Sequence, residues 1–115
     1  MRRVALAALA AACLVPAATP AEAGSAKKVV NIGDYYFSPA KLTVRKNTIV
    51  VWRWPSGGGD GHDVYLTKGP KGVKKFHSDV NFADATFRQR LKVKGRYSIV
   101  CTLHPDQMRE TITVK

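Results

Sequence analysis

The sequence predicts an all-β protein, a Greek-key β-sandwich of about seven to eight short strands. Three observations predict it. Apolar and polar residues alternate with a period of two in one segment after another, as a sheet with a single buried face requires. Turns bearing glycine or asparagine separate those segments. Beyond the N-terminal leader, no stretch carries an amphipathic helical period of useful length.

The chain opens with a leader. Met1, Arg2 and Arg3 give a positive start, Val4 to Ala18 is apolar, and Ala21-Glu22-Ala23 places small residues where a signal peptidase reads. This is the pattern of a secretory signal peptide over residues 1–23, too short and too broken for a membrane span. Residues 24–115 then form one exported domain, periplasmic, extracellular or held at the cell envelope.

The strands follow in order. "KLTVRK" sets Leu42 and Val44 against Lys41, Thr43 and Arg45. Asn47 supplies a reversal, because asparagine tolerates positive φ. "TIVVWRW" groups Val50, Trp52 and Trp54 opposite Val51 and Arg53. "SGGGDG" and "KGPKG" are loops, and "SDVNFADA" has room for one helical turn at most. "TFRQRLKVK" sets Phe87, Leu91 and Val93 against Arg88, Arg90, Lys92 and Lys94, and "KGR" at Lys94–Arg96 suits a tight hairpin. "YSIVC" puts Tyr97, Ile99 and Cys101 on one face, and "TITV" does the same for Ile112 and Val114.

Beyond the leader the chain keeps one cysteine, Cys101, with no partner for a disulfide. In an exported protein that leaves an intermolecular bridge, a reactive thiol or a metal ligand. His104 lies three residues on and Met108 four further, while His62 stands at the end of the glycine loop. A loop and a strand end can meet at one pole of a sandwich. A thiolate, two imidazoles and a thioether would then converge, which is the ligand set of a blue-copper site. Taken singly, each residue has a blander reading: a buried small hydrophobe for Cys101, core for Met108, surface for either histidine. A Cys-x-x-His pair also makes half a zinc site, but a thioether is a poor zinc ligand. His77 stands outside the pattern and reads as a surface histidine.

"YYFSPAKLTV", "IVVWRW", "HDV", "GRYSIVCTLHPDQM" and "ETITV" together resemble the small cupredoxins of the plastocyanin, amicyanin and pseudoazurin group over nearly all of residues 24–115. The resemblance implies an eight-stranded Greek-key sandwich. It also implies one copper ion cycling between Cu(I) and Cu(II), with His62, Cys101, His104 and Met108 as its ligands. Three residues part His104 from Met108, where the family commonly has two or four. Gln107 occupies the place of the methionine in the shortest loops, so a glutamine oxygen is the alternative axial donor. Asp63 follows the first histidine where a neutral residue is usual, either to accept a hydrogen bond from the loop or to lower the potential by its charge.

The resemblance implies a monomeric carrier of single electrons between redox partners, not an enzyme: multicopper oxidases need further domains and repeated His-x-His pairs, and neither is present. Copper storage or delivery is the alternative function, though that role favours additional Met and His. The 19 Lys and Arg against 8 Asp and Glu give a formal net charge of +11. Such a charge suits an acidic redox partner or an anionic envelope surface. Nucleic acid is not expected, since the aromatic residues read as buried, not interleaved with the basic ones.

Overall fold

Residues 26–115 are described by a computed structural model. The predicted signal peptide lies outside the described residues. Eight strands appear in the order β1 (Lys27–Gly33), β2 (Tyr36–Ser38), β3 (Lys41–Val44), β4 (Thr48–Trp54), β5 (Tyr65–Lys68), β6 (Ala85–Leu91), β7 (Gly95–Val100) and β8 (Arg109–Val114). Two four-stranded sheets, β2-β1-β4-β6 and β3-β8-β7-β5, face each other, as the alternation predicts. Pairing is parallel between β1 and β4 and between β3 and β8, and antiparallel elsewhere.

The alternating residues account for the layering. Val30 and Ile32 of β1, Val50, Trp52 and Trp54 of β4, and Leu91 of β6 are buried, and so are Leu66, Tyr97, Ile99, Ile112 and Val114 of the other sheet. Burying an aliphatic or aromatic side chain of this size contributes about 1.5–3 kcal/mol, so this double row drives the two sheets together. The polar partners Arg53, Arg88, Arg90 and Arg96 stay outside.

Only two connections stay within a sheet, β1–β2 and β7–β8; every other one crosses. Both hairpins turn at the same end, where β4 also finishes. This end therefore collects the turn Asp34–Tyr35, the long loop after Trp54 and the loop after Val100.

Two local expectations are corrected. Lys94–Arg96 does not form a hairpin, because β6 and β7 belong to different sheets. Gly95 is needed there for its φ of +136° and for closeness, since a Cβ would sit 2.7 Å from Cγ of Pro70. The segment from Ser78 to Ala85 holds no helical turn. Asn81 exchanges two backbone hydrogen bonds of 3.0 Å with His62 instead. Asn47 does take positive φ, +72°, as its turn requires.

Candidate metal centre

Loop geometry at the common end follows from short-range hydrogen bonds. After β7 the chain makes two successive turns: His104 N–H donates to the Cys101 carbonyl (3.2 Å), then Gln107 and Met108 N–H donate to the His104 carbonyl (3.2 and 2.9 Å). The Cys101 N–H donates to the Met108 carbonyl (3.1 Å) and closes the loop. Pro105 has no N–H and a fixed φ, so it suits the outer corner. Cys101 and Met108 are both fully buried, while His104 is half-buried and Gln107 exposed.

His62 reaches the same point from the other sheet's loop. Its backbone is bridged to Asn81, and its carbonyl accepts from the Trp54 indole at 3.1 Å. Nε2 of its ring lies 2.9 Å from Asp34 Oδ1. A carboxylate accepts only, so Nε2 carries the proton and Nδ1 keeps its lone pair. That Nδ1 lies 3.9 Å from Cys101 Sγ, and His104 Nδ1 lies 3.7 Å from the same sulfur. The donor atoms of His62, Cys101 and His104 all fall within 4.8 Å of one another. Two imidazole nitrogens and one thiol sulfur, convergent and largely shielded, match the preference of copper for mixed N/S donors.

Comparison with known families decides the matter. Residues 24–115 match the family described as copper binding proteins, plastocyanin/azurin family. The chain belongs to this cupredoxin family. Copper is its cofactor, and the donor set just described fits that ion. Solved structures share the fold at low identity. A proline-to-glycine variant of amicyanin in its reduced Cu(I) form at pH 4 is 24% identical with a TM-score of 0.66, over 80% of this chain and 83% of that one. A reduced tryptophan-to-tyrosine variant of amicyanin is 22% identical with a TM-score of 0.67, over the same shares of 80% and 83%. A copper-containing nitrite reductase from Thermus scotoductus SA-01 is 21% identical with a TM-score of 0.61, but 76% of this chain covers only 22% of that larger one. Among curated protein sequences none matches.

Around the cupredoxin site lies a polar frame. Asp63 is buried beside His62, and its two oxygens accept from Thr102 N–H and Thr102 Oγ1, each at 2.6 Å. It thus ties the His62 loop to the Cys101 loop, the first of the two roles its position suggested. Asp34 also accepts from Asp60 N–H at 3.0 Å, and the bonds from His62 and Asp60 hold its carboxyl below the ordinary value. Tyr35 sits edge-on to His104, ring centroids 4.7 Å apart, and donates to the Asp60 carboxylate, which raises its phenol. Glu110 is the unusual member. It is buried on β8, Oε1 accepts from Trp52 Nε1 at 2.8 Å, and Oε2 has no partner among the described residues. Burial pushes its carboxyl up to about 7, against the smaller opposing effect of the indole bond.

His62, Cys101 and His104 therefore stand together as the sequence suggested, with Met108 buried in the same loop. His77 is elsewhere, exposed, stacked on Tyr65 and bonded to the Ser78 carbonyl at 3.1 Å. Sequence reasoning missed Asp34, Tyr35, Trp54, Thr102 and Glu110. Asp34 and Tyr35 gave one readable signal, a polar pair between two strands. Trp54 and Glu110 read as one more aromatic and one more charge in alternating strands.

Proposed function

We propose that this protein is exported and carries single electrons between redox partners, using copper held by His62, Cys101 and His104 with Met108 as the axial donor. One observation carries the reading: the three nitrogen and sulfur donors already lie within 4.8 Å of one another, with His62 and Cys101 buried and His104 half-buried. When bound, copper supplies a one-electron Cu(I)/Cu(II) couple. The protein's part is to keep one arrangement for both states. Asp34 fixes the His62 ring, Asp63 pins the loop at Thr102, and Pro105 stiffens the turn. Burial of Met108 and exposure of Gln107 favour the thioether over the amide as axial donor.

His104 is the ligand with an edge toward solvent. Exposed Leu103 stands next to it and exposed Tyr35 packs on it, while Val80 and Phe82 flank Gly61 beside His62. An apolar face at the point where an electron leaves suits a redox partner that docks by burying it. Asp34, Asp60 and Asp106 border this face. Exposed Arg109, which donates to the Pro105 carbonyl at 2.8 Å, is a basic neighbour of the loop, so the face fits a partner that docks chiefly by apolar contact and not through a lysine collar. Storage or delivery of copper would profit from exposed, exchangeable ligands, which buried His62, Cys101 and Met108 are not.

The test is the visible spectrum of the copper-loaded protein. An intense band toward the red end, from thiolate-to-copper charge transfer, is the expected result. A colourless or merely pale copper complex would overturn the site and the carrier role together.

A further inference from the structure

Charge is segregated along the sandwich. Every Asp and Glu among the described residues lies in the half that holds the site: Asp34, Asp60 and Asp63, then Asp79 and Asp84, then Asp106 and Glu110. The far end is built from basic segments of both sheets. Arg45 and Lys46 turn between β3 and β4, and Lys92 and Lys94 lie between β6 and β7. Lys27 and Lys28 enter there, paired with Ile49 and Val50 at the start of β4. Lys115 joins them, exchanging backbone bonds with Val44 and Lys46 at 2.9 and 3.1 Å. Val73 and Lys74 share a cleft with Lys92 and Tyr97, which brings the lysine-rich loop to the same end.

This end is cationic without being adhesive. Of the exposed large apolar side chains among the described residues only Val29 lies near it; Tyr35, Tyr36, Tyr65, Val80, Phe82 and Leu103 are toward the site end. A specific protein partner needs a buried aromatic or aliphatic anchor at the centre of its contact. A broad blunt cluster of lysines on separate turns offers none. A bilayer of anionic lipid needs none, because its headgroups move to meet the charges, and each basic residue near such a surface strengthens binding roughly fivefold. The path of the chain agrees. It enters the sandwich at Ala26 and Lys27, at this end, and the apolar run Val4–Ala18 precedes that entry in the sequence. A leader still in a membrane would present the basic end to it, and a cleaved one would leave an extra amine there.

We propose that the basic end is a docking surface for anionic phospholipid, which holds the protein on a membrane with the His104 face turned outward to its redox partners. Docking itself does not depend on the copper reading; only the outward-facing consequence rests on it.

Sedimentation with vesicles tests this, using the copper-loaded protein as collected after export. Vesicles of phosphatidylcholine with about one-third phosphatidylglycerol should bind it, pure phosphatidylcholine vesicles should not, and binding should fall as salt shortens the screening length below about 10 Å. The double change Lys92→Glu/Lys94→Glu should weaken binding by a factor of about 100 or more. Arg53→Glu, an exposed charge reversal on the site end of β4, should weaken it by less than about threefold. Both variants should keep the wild-type circular dichroism and visible spectrum, so that folding and the copper reading are checked separately. Equal binding to both kinds of vesicle, no binding to either, or an Arg53→Glu effect as large as that of the double change would overturn the proposal. Loss of vesicle binding alongside retained, Lys92-dependent capture of a small acidic protein would overturn it in favour of a protein partner.

Discussion

The two ends of this sandwich are ordered by different means. At the site end, side chains add to the backbone turns: Asp34 to His62, Asp63 to Thr102, Trp54 to the His62 carbonyl. At the basic end the turns are held through backbone carbonyls, by the bonds of Lys46 and Lys115, by the Arg90 guanidinium donating to Asn47 at 3.1 Å and the Tyr97 hydroxyl to Val93 at 2.7 Å, with positive φ at Asn47 and Gly95. The first kind of order fixes the aim of particular atoms, which a metal needs. The second fixes only the path of the chain, which is enough for a surface recognised by its charge. The contrast implies that damage at one end shows in colour and metal affinity, and damage at the other in stability or surface binding with the colour unchanged.

Cys101→Ala should give the largest effect, complete loss of the red-end absorption with a folded apo-protein by circular dichroism, since the other sixteen or so core residues remain in place. Persistence of the colour would break the contrast at its strongest point. Glu110 comes next, as the one place where the site end is held at a cost. Its folded carboxyl keeps its proton up to about pH 7, while an unfolded one releases it near 4.5. Folding is therefore favoured by acid. The contribution is full below pH 4.5 and is lost as pH rises through about 7, a difference on the order of 3 kcal/mol. Denaturant titrations of the apo-protein across that range should show the loss, and Glu110→Gln should flatten it. A stability that climbs from pH 4.5 to 7 in the wild type and not in the variant would reverse the assignment.

Asp63→Ala cuts the tie between the two ligand loops, and copper affinity should fall by about 10–100-fold. Competition with a chelator measures this. Gly95→Ala sharpens the comparison from the other end: with φ of +136° and Pro70 in the way, it should cost about 1–2 kcal/mol in denaturant while the visible spectrum stays unchanged. The smallest effect is expected for Gln107→Ala, whose side chain is exposed. It should leave the potential nearly where it was, whereas Met108→Gln should lower it, because an oxygen donor favours Cu(II). A larger response to the Gln107 change would exchange the axial roles.

Much of this was legible before any coordinates. The period of two placed β4, β6, β7 and β8, because a sheet face buries every second side chain. The convergence of His62, Cys101 and His104 was legible because a lone thiol followed by an imidazole and a thioether, at the end of an alternating strand, resembles the ligand loop of the family. What failed was pairing. Gly95 signals a reversal, but sequence cannot say whether the next strand joins the same sheet or the opposite one; here β7 joins the opposite sheet, with Gly95 close against Pro70. The polar frame was equally hidden. Asp34 meets His62, and Asp63 meets Thr102, across separations that no local pattern encodes.

The parallel pairing of β3 with β8 has a kinetic side. It joins Lys41–Val44 to Thr111–Val114, close to the two ends of the domain, and β1 with β4 adds a second long closure. Chains whose contacts are this distant in sequence fold slowly. Until sheet closure is complete the sulfur of Cys101, fully shielded in the native state, is open to any oxidant in its compartment. Refolding in an oxidising buffer is thus a race between zipping the sandwich and coupling two half-made chains through their thiols, and yields should rise with added reductant and fall with protein concentration.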